Sequence, residues 1–137
     1  MKTMNLLKTG ISFMTFALLL SCSKDDANSN DNASTPTDSR NVKYEVSGTA
    51  TGTFDVTYIT GSSSGSNAVP SALPWTKEIV APNGFFAPTI NASVFGATPG
   101  KTLTAKIYVG GVVKKEQTEI VQSNGMAIIG GLQYSLK

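Results

Sequence analysis

The sequence contains no histidine and only one cysteine among its 137 residues. Histidine is the side chain that most often acts as a general base near neutral pH, and serine nucleophiles commonly depend on it for activation. Zinc and copper sites are built mainly from histidine and cysteine ligands, so the chain offers few donors for such metals. We therefore predict a protein that is not an enzyme and that carries no metal or other cofactor.

No apolar run in the sequence is long enough to cross a bilayer, which takes about 20 residues in a helix. Residues 11–20 (ISFMTFALLL) form a stretch of ten that follows Lys2 and Lys8. This length falls within the range of about 7–15 residues found in the apolar cores of signal peptides. We therefore predict that residues 1–21 are a signal peptide that is removed.

The chain also lacks a predominant charge of either sign. Its 11 lysines and arginines exceed its 9 aspartates and glutamates by two, and two of the lysines lie in the predicted signal peptide. The mature protein is therefore expected to be close to neutral. Because nucleic-acid-binding domains carry clustered basic charge, we predict no nucleic-acid partner.

The single cysteine lies directly after the apolar stretch. Leu19-Leu20-Ser21-Cys22 resembles a bacterial lipobox, with a branched apolar residue three positions before the cysteine and a small residue just before it. The resemblance implies cleavage between Ser21 and Cys22 and attachment of a diacylglycerol, with acyl chains such as palmitate, to the Cys22 thiol. Two or three such chains anchor a protein stably in a membrane. The alternative is a leftover cysteine in an ordinary signal peptide.

The residues after the cysteine are polar. Ser23-Lys24-Asp25-Asp26 is similar to the acidic export signal of Bacteroidota surface lipoproteins, which implies an outer-membrane lipoprotein that faces the cell exterior. The alternative is that these residues only begin a soluble tether, and that the protein faces the periplasm. Residues 23–41 contain no strongly apolar residue, so we predict that residues 22–41 are the lipidated cysteine followed by a disordered tether.

From Val42 onward apolar and polar residues alternate with the period of a β-strand. About seven such segments are separated by turns, so we predict one all-β domain over residues 42–137. Its predicted architecture is an immunoglobulin-like β-sandwich of about seven antiparallel strands, with a small closed barrel as the alternative. Gly110-Gly111 predicts a tight hairpin and Gly130-Gly131 a bulge or strong bend, while residues 60–68 are predicted to be a flexible loop.

Two groups of side chains in this domain are candidates for chemistry or binding. Glu45 and Asp55 are predicted on the polar faces of adjacent strands, where a carboxylate pair could serve hydrolysis or hold calcium. A solvated strand face is the favoured interpretation of both. Trp75, Phe85 and Phe86 are the candidate contacts for a partner if they are exposed, although Trp75 is more typical of a core or sheet-end anchor.

Four short motifs of the domain resemble a known family. They are Tyr44-Glu45-Val46-Ser47-Gly48, Phe54-Asp55-Val56-Thr57-Tyr58, Leu73-Pro74-Trp75 and Ile107-Tyr108-Val109-Gly110-Gly111. In order and spacing they are similar to the MmpS family, small membrane-anchored accessory proteins of the large MmpL transporters of the RND superfamily. The resemblance implies a small β-sandwich outside the membrane that assists the export of lipids or siderophores.

Two features depart from that family. Ala105 occupies the position where the first of two family cysteines would stand, and a lipobox replaces the N-terminal transmembrane helix. Neither departure changes the expected fold. The second one weakens the expected partnership with a transporter, because the helix that would lie beside the transporter is missing.

The function predicted from these observations is that of a non-enzymatic, membrane-anchored lipoprotein. Its domain is expected to be an accessory or binding module of an envelope transport or assembly system, with a transporter or another envelope protein as partner. The first alternative is an adhesin-like or ligand-capturing surface module that binds glycans or proteins through strand-end loops such as residues 60–68. The second is an inhibitor of an envelope-attacking enzyme. The sequence does not indicate an oligomeric state.

Overall fold

The computed structural model describes residues 37–137, and the regular structure of this region consists of β-strands. The eight strands are β1 (Asn41–Gly48), β2 (Thr53–Gly61), β3 (Ser64–Ala68), β4 (Trp75–Val80), β5 (Thr89–Phe95), β6 (Thr102–Val109), β7 (Val112–Ile120) and β8 (Ala127–Gln133). No helix within this region could cross a membrane. The predicted all-β fold is confirmed.

The strands form two four-stranded antiparallel sheets packed as a sandwich. Sheet A has the strand order β4-β1-β6-β7, and sheet B has the order β3-β2-β5-β8. The chain changes sheet after β1, β3, β4, β5 and β7, and only the β2–β3 and β6–β7 hairpins connect neighbouring strands of one sheet. The predicted sandwich is therefore assembled from strands that are distant in sequence.

The core lies between the sheets and is filled by every second side chain of the central strands. The β-branched and aromatic residues that favour strands also supply this buried face. Its members in the central strands of sheet A are Val42, Tyr44, Val46, Leu103, Ala105, Ile107 and Val109, and in those of sheet B they are Phe54, Val56, Tyr58, Ile90, Ala92 and Val94. This alternation is the pattern that the sequence showed from Val42 onward.

Three aromatic side chains link the two sheets. Tyr44 of sheet A is fully buried, and its hydroxyl donates to the carbonyl oxygen of Ile59 in sheet B at 2.6 Å. The ring centroids of Tyr44 and Tyr58 are 5.7 Å apart, and those of Tyr58 and Trp75 are 5.4 Å apart. Burial raises the pKa of Tyr44, so its hydroxyl stays protonated and can donate. Trp75 thus packs against the core, as expected of an anchor.

The prediction of a flexible loop at residues 60–68 is wrong. β2 continues to Gly61, the chain turns, and β3 pairs with β2 from Ser64 to Ala68, which gives eight strands instead of about seven. β3 is an edge strand built from small and polar residues, so it shows no apolar alternation. It is held by backbone hydrogen bonds to β2, which the side-chain pattern cannot reveal.

Both glycine pairs have the predicted roles. Gly110 and Gly111 have φ angles of 58° and 81° and form the β6–β7 hairpin, where a two-residue turn requires left-handed backbone. The pairing of β5 with β8 shifts register opposite Gly130-Gly131. There the Asn91 side-chain oxygen accepts a hydrogen bond from the Gly131 N–H at 2.6 Å, which stabilises the bulge.

The folded domain begins earlier than predicted. β1 starts at Asn41, and the Arg40 side chain donates to three backbone carbonyl oxygens of the β4–β5 loop, those of Ala81, Pro82 and Phe85. The end of the predicted disordered tether is therefore part of the domain, because polar side chains rather than apolar ones fix it. The signal peptide and the remaining tether lie outside the described residues.

Candidate binding surface

A cavity of about 530 Å³ lies on the outer face of sheet A, across β4, β1 and β6. Since side chains alternate along a strand, the residues between the core positions of β1 and β6 point outward onto this face. The lining residues are Asn41, Val42, Lys43, Glu78, Ile79, Val80, Tyr108 and Gly111. The volume is in the range of small-molecule sites, but here the floor is a sheet surface.

The centre of this face is a contact between a cation, a carboxylate and a phenol. Lys43 and Tyr108 are directly opposite in the β1–β6 pairing, and the Lys43 Nζ lies 3.9 Å from the centroid of the Tyr108 ring. The same Nζ is 3.4 Å from the Glu45 Oε2, and the Tyr108 hydroxyl donates to that oxygen at 3.2 Å. The ring and the carboxylate together hold the lysine in place, as in a cation–π pair.

Charges of opposite sign alternate across the four strands. Glu78 lies opposite Lys43, and Glu45 lies opposite Lys106, whose Nζ is 3.4 Å from the Glu116 Oε1. Positive and negative side chains are therefore interspersed on this face. Such a face is suited to a polypeptide surface that offers both donors and acceptors, because each charge has a defined position and a different sign from its neighbour.

The carboxylate pair considered from the sequence is not assembled. Glu45 lies on the outer face of sheet A, whereas Asp55 lies in β2 on sheet B, where it lines a separate shallow cavity. The strands follow each other along the chain but belong to opposite sheets, so the prediction of adjacent strands is wrong. Among residues 37–137 no three His, Cys, Asp or Glu side chains are grouped as metal ligands.

Residues 61–65, Gly-Ser-Ser-Ser-Gly, match the letter pattern of a nucleophile elbow. That motif requires a sharp turn from a strand into a helix, with the serine raised above a sheet. Here the residues join β2 to β3, and Ser63 is exposed in the hairpin turn. The pattern therefore lacks the structural context that gives it a catalytic meaning.

The other sequence-predicted site residues divide into two groups. Cys22, Ser21, Ser23, Lys24, Asp25 and Asp26 lie outside the described residues, and their roles in lipidation, cleavage and sorting stay predictions. Among the candidate partner contacts, Phe86 is 60% exposed, while Phe85 is only 3% exposed and belongs to the core. Phe85 is therefore removed from that set, because the turn before it points its ring inward.

Trp75 and Phe86 do not form one patch. Trp75 begins β4 and Phe86 follows its end, so the strand separates them by about 17 Å along its axis. The sequence pattern alone does not indicate that Glu78, Val80 and Tyr108 form a site. Their outward direction follows from the alternation, but the pairings of β1 with β4 and with β6 bring them together, and these pairings join residues 29 to 67 positions apart in the sequence.

A second polar cluster joins the first and last described segments. The Asp38 carboxylate accepts hydrogen bonds from the Tyr134 hydroxyl at 2.9 Å and from the Lys137 backbone N–H at 3.0 Å. The Lys114 Nζ lies 3.6 Å from the other carboxylate oxygen. The bond from Tyr134 is the main reason that the pKa of Asp38 is below its ordinary value, and it also raises the pKa of Tyr134.

The family described as Mycobacterium membrane protein matches residues 14–127 of this sequence. The match includes part of the apolar N-terminal stretch and runs to the first residue of β8, which is most of the chain. The chain belongs to this family. It is the MmpS family that the four motifs resemble, a membrane-associated family, and the match extends further toward the N-terminus than those motifs. No curated protein matches the chain.

Proposed function

We propose that this MmpS-family protein is a non-enzymatic accessory module of an envelope transport or assembly system, and that it binds another envelope protein through the cavity on sheet A. One observation carries the proposal. Asn41 and Gly111 line the cavity, and the Asn41 carbonyl accepts a hydrogen bond from the Gly110 N–H at 2.9 Å. The cavity therefore reaches the end of the sandwich where the N-terminal segment, residues 37–40, enters β1. A partner in the same membrane is therefore expected to meet this face first.

The expected partner segment is a short stretch of mixed polarity. Glu78 and Lys43 can pair with one basic and one acidic group, and the Tyr108 ring can stack on a guanidinium or an apolar side chain. Val80, which is 74% exposed, adds apolar area at the rim. These groups support polypeptide recognition, which is why we propose a binding role.

Site-specific photocrosslinking tests this proposal. Replacing Tyr108 with p-benzoylphenylalanine in the full chain keeps an aromatic side chain in the cavity. We expect crosslinking in intact cells to one main envelope protein. The matched control places the same group at Thr57, on the outer face of sheet B, and is expected to give no such adduct. A Lys43→Glu substitution should reduce the Tyr108 adduct because it reverses the central charge.

The proposal fails if Tyr108 and Thr57 give the same adducts, or if neither gives any. Thermal unfolding of each variant shows whether the domain is intact. Both positions lie in central strands of their sheets, so a loss of folding would appear as a lower melting temperature rather than as a change of partner.

The proposed attachment is a lipid on Cys22 in the outer membrane, with the domain facing the cell exterior. Cys22→Ala removes the acceptor thiol, and we expect the processed variant to leave the membrane fraction. Protease added to whole cells tests the orientation, since an exterior domain is digested and a periplasmic one is protected. Retention of a processed Cys22→Ala variant in the membrane would contradict the lipid anchor.

The adhesin-like alternative loses the feature on which it was based. Residues 60–68 form an ordered hairpin, and the Ser62 hydroxyl donates to the Gly84 carbonyl at 3.4 Å. The hairpin tip therefore lies at the end of the sandwich where residues 37–40 enter the domain. An adhesin would be expected to present its binding loops at the opposite end.

A further inference from the structure

We infer that the end of the sandwich nearest the N-terminal segment docks on the surface of an anionic lipid bilayer. We call this the N-terminal end. It consists of residues 37–40, the hairpin tip at 62–63, the loop 81–88, the turn 110–111 and residues 134–137. The opposite end consists of residues 49–52, 69–74, 96–101 and 121–126.

The segments of the N-terminal end are bonded to each other. The Ala81 N–H donates to the Arg40 carbonyl at 2.7 Å, and the Leu136 N–H donates to the Phe86 carbonyl at 2.8 Å. With the Ser62, Gly110 and Asp38 contacts described above, these bonds join five segments into one surface. The surface is therefore preformed rather than a set of independent loops.

Exposed apolar side chains lie on this surface and at the strand ends beside it. Val80 is 74% exposed, Phe86 60% and Val112 60%. Exposure alone does not distinguish the two ends, because Phe95, Ile120 and Ile128 are also exposed toward the opposite one. The distinction comes from the charges around them.

The two halves of the domain carry opposite net charge. From the N-terminal end to the level of Tyr44 there are six basic and two acidic side chains, and in the other half there are two basic and four acidic ones. The first set is Arg40, Lys43, Lys77, Lys114, Lys115 and Lys137 with Asp38 and Glu78, and the second is Lys101 and Lys106 with Glu45, Asp55, Glu116 and Glu119. Apolar side chains among lysines are typical of surfaces that bind the interface of anionic membranes.

The chain outside the described residues supports the bilayer as the occupant. Only 14 residues separate Cys22 from Thr37, and they can span at most about 50 Å. An acyl anchor at Cys22 therefore keeps the N-terminal end within reach of the headgroups. In this step the inference rests on the proposed attachment, whereas the charge and the exposed side chains are independent of it.

Environment-sensitive fluorescence tests the inference. The processed full chain is reconstituted in vesicles that contain phosphatidylglycerol, with a nitrobenzoxadiazole dye on Ser63→Cys at the N-terminal end. Ser123→Cys at the opposite end is the matched control, and both serines are exposed in turns. We expect a blue-shifted emission and quenching by brominated lipid for Ser63 only, and neither effect in vesicles of phosphatidylcholine.

Two pairs of variants test the chemistry of docking with the dye at Ser63. Lys115→Glu should weaken the docking equilibrium at least about fivefold, while Lys101→Glu should not. Phe86→Ser should weaken it as well, while Ile128→Ser should not. All four side chains are exposed, so folding is expected to survive, and a thermal unfolding curve of each variant checks this.

The outcomes separate this inference from the proposed attachment. If Ser63 is as solvent-exposed as Ser123 in anionic vesicles, the inference is wrong. If Ser63 is shielded in cells but not in protein-free vesicles, the occupant is a protein and the bilayer is excluded. If the unmodified chain reacts with the dye at Cys22, the lipid anchor fails. The comparison of Ser63 with Ser123 in a Cys22→Ala background then still decides the docking.

Discussion

The two ends of the sandwich are closed by different kinds of contact. At the N-terminal end, the side chains of Asp38 and Arg40 bind backbone and side-chain groups of distant segments. At the opposite end, the backbone at Gly48 approaches β6 so closely that a side chain is excluded at this position: a Cβ atom at Gly48 would lie 2.2 Å from the Thr102 carbonyl oxygen. The first end can therefore be weakened by removing polar groups or changing pH, and the second by adding a single carbon atom.

The largest loss of stability is expected from a substitution at the opposite end, Gly48→Ala. Gly48 has a φ angle of 135°, so Gly48→Ala introduces both backbone strain and a collision with backbone that cannot turn away. We expect the free energy of unfolding to fall by about 3 kcal/mol or more, measured by urea denaturation.

Gly111→Ala is the matched control at the N-terminal end. Its φ angle is 81°, but no atom lies within 4 Å of the added carbon. Only the strain of a left-handed alanine remains, and it should cost about 1 kcal/mol. Equal losses for the two variants would show that strain, not close approach, governs both ends.

The loss of stability expected from Arg40→Ala lies between those of Gly48→Ala and Gly111→Ala. The guanidinium donates to three carbonyl oxygens of the loop that follows β4, and its removal should cost about 2 kcal/mol. Arg40→Lys should recover little, because an ammonium group cannot reproduce the planar fork. Amide hydrogen exchange should accelerate in residues 81–85 and stay unchanged in residues 121–126. Faster exchange at both ends would mean that the contact stabilises the whole domain rather than its N-terminal end.

The smallest loss in the free energy of unfolding is expected from Asp38→Asn, and this loss depends on pH. The pKa of Asp38 in the folded protein is below its ordinary value of 3.8, so the unfolded chain takes up the proton first as pH falls. Its contribution to stability is complete above that ordinary value and is lost as pH falls through the lower folded value. The difference in unfolding free energy between wild type and Asp38→Asn should therefore shrink toward acid.

Tyr134→Phe is the companion variant, because the Tyr134 hydroxyl is the main cause of the lowered Asp38 pKa. It should remove part of the same pH dependence. Urea denaturation curves at several pH values between about 7 and 2 give the comparison. A difference between wild type and Asp38→Asn that stays constant over this range would contradict the assignment.

The strands whose apolar residues alternate could be predicted from the sequence. β1, β2, β5 and β6 lie in the middle of the sheets, where one face is buried. Their alternation predicts both the strand and the face of the sheet to which each side chain points. β3 could not be predicted because an edge strand of Ser, Gly and Asn buries little. The structural role of Arg40 could not be predicted either, because it depends on carbonyl groups of a loop some forty residues away.

The candidate surface could be predicted only in part. The outward direction of Lys43 and Tyr108 follows from alternation along β1 and β6. Their direct opposition follows from the register of β1 with β6, two strands that are far apart in sequence. These strands are neighbours because none of β2 to β5 lies between them in sheet A. The net charge of the whole chain also does not reveal that the two halves of the domain differ in charge, because the positive excess of one half is offset by the negative excess of the other.

The position of β1 has a mechanical consequence. It is an inner strand, with β4 on one side and β6 on the other, and the N-terminal segment continues it directly through Arg40. Tension applied through that segment acts along the strand axis, perpendicular to the backbone hydrogen bonds on both sides. These bonds are then loaded in shear and must break together rather than one after another. A pull through the N-terminal segment would thus act on the strand arrangement that resists it most strongly.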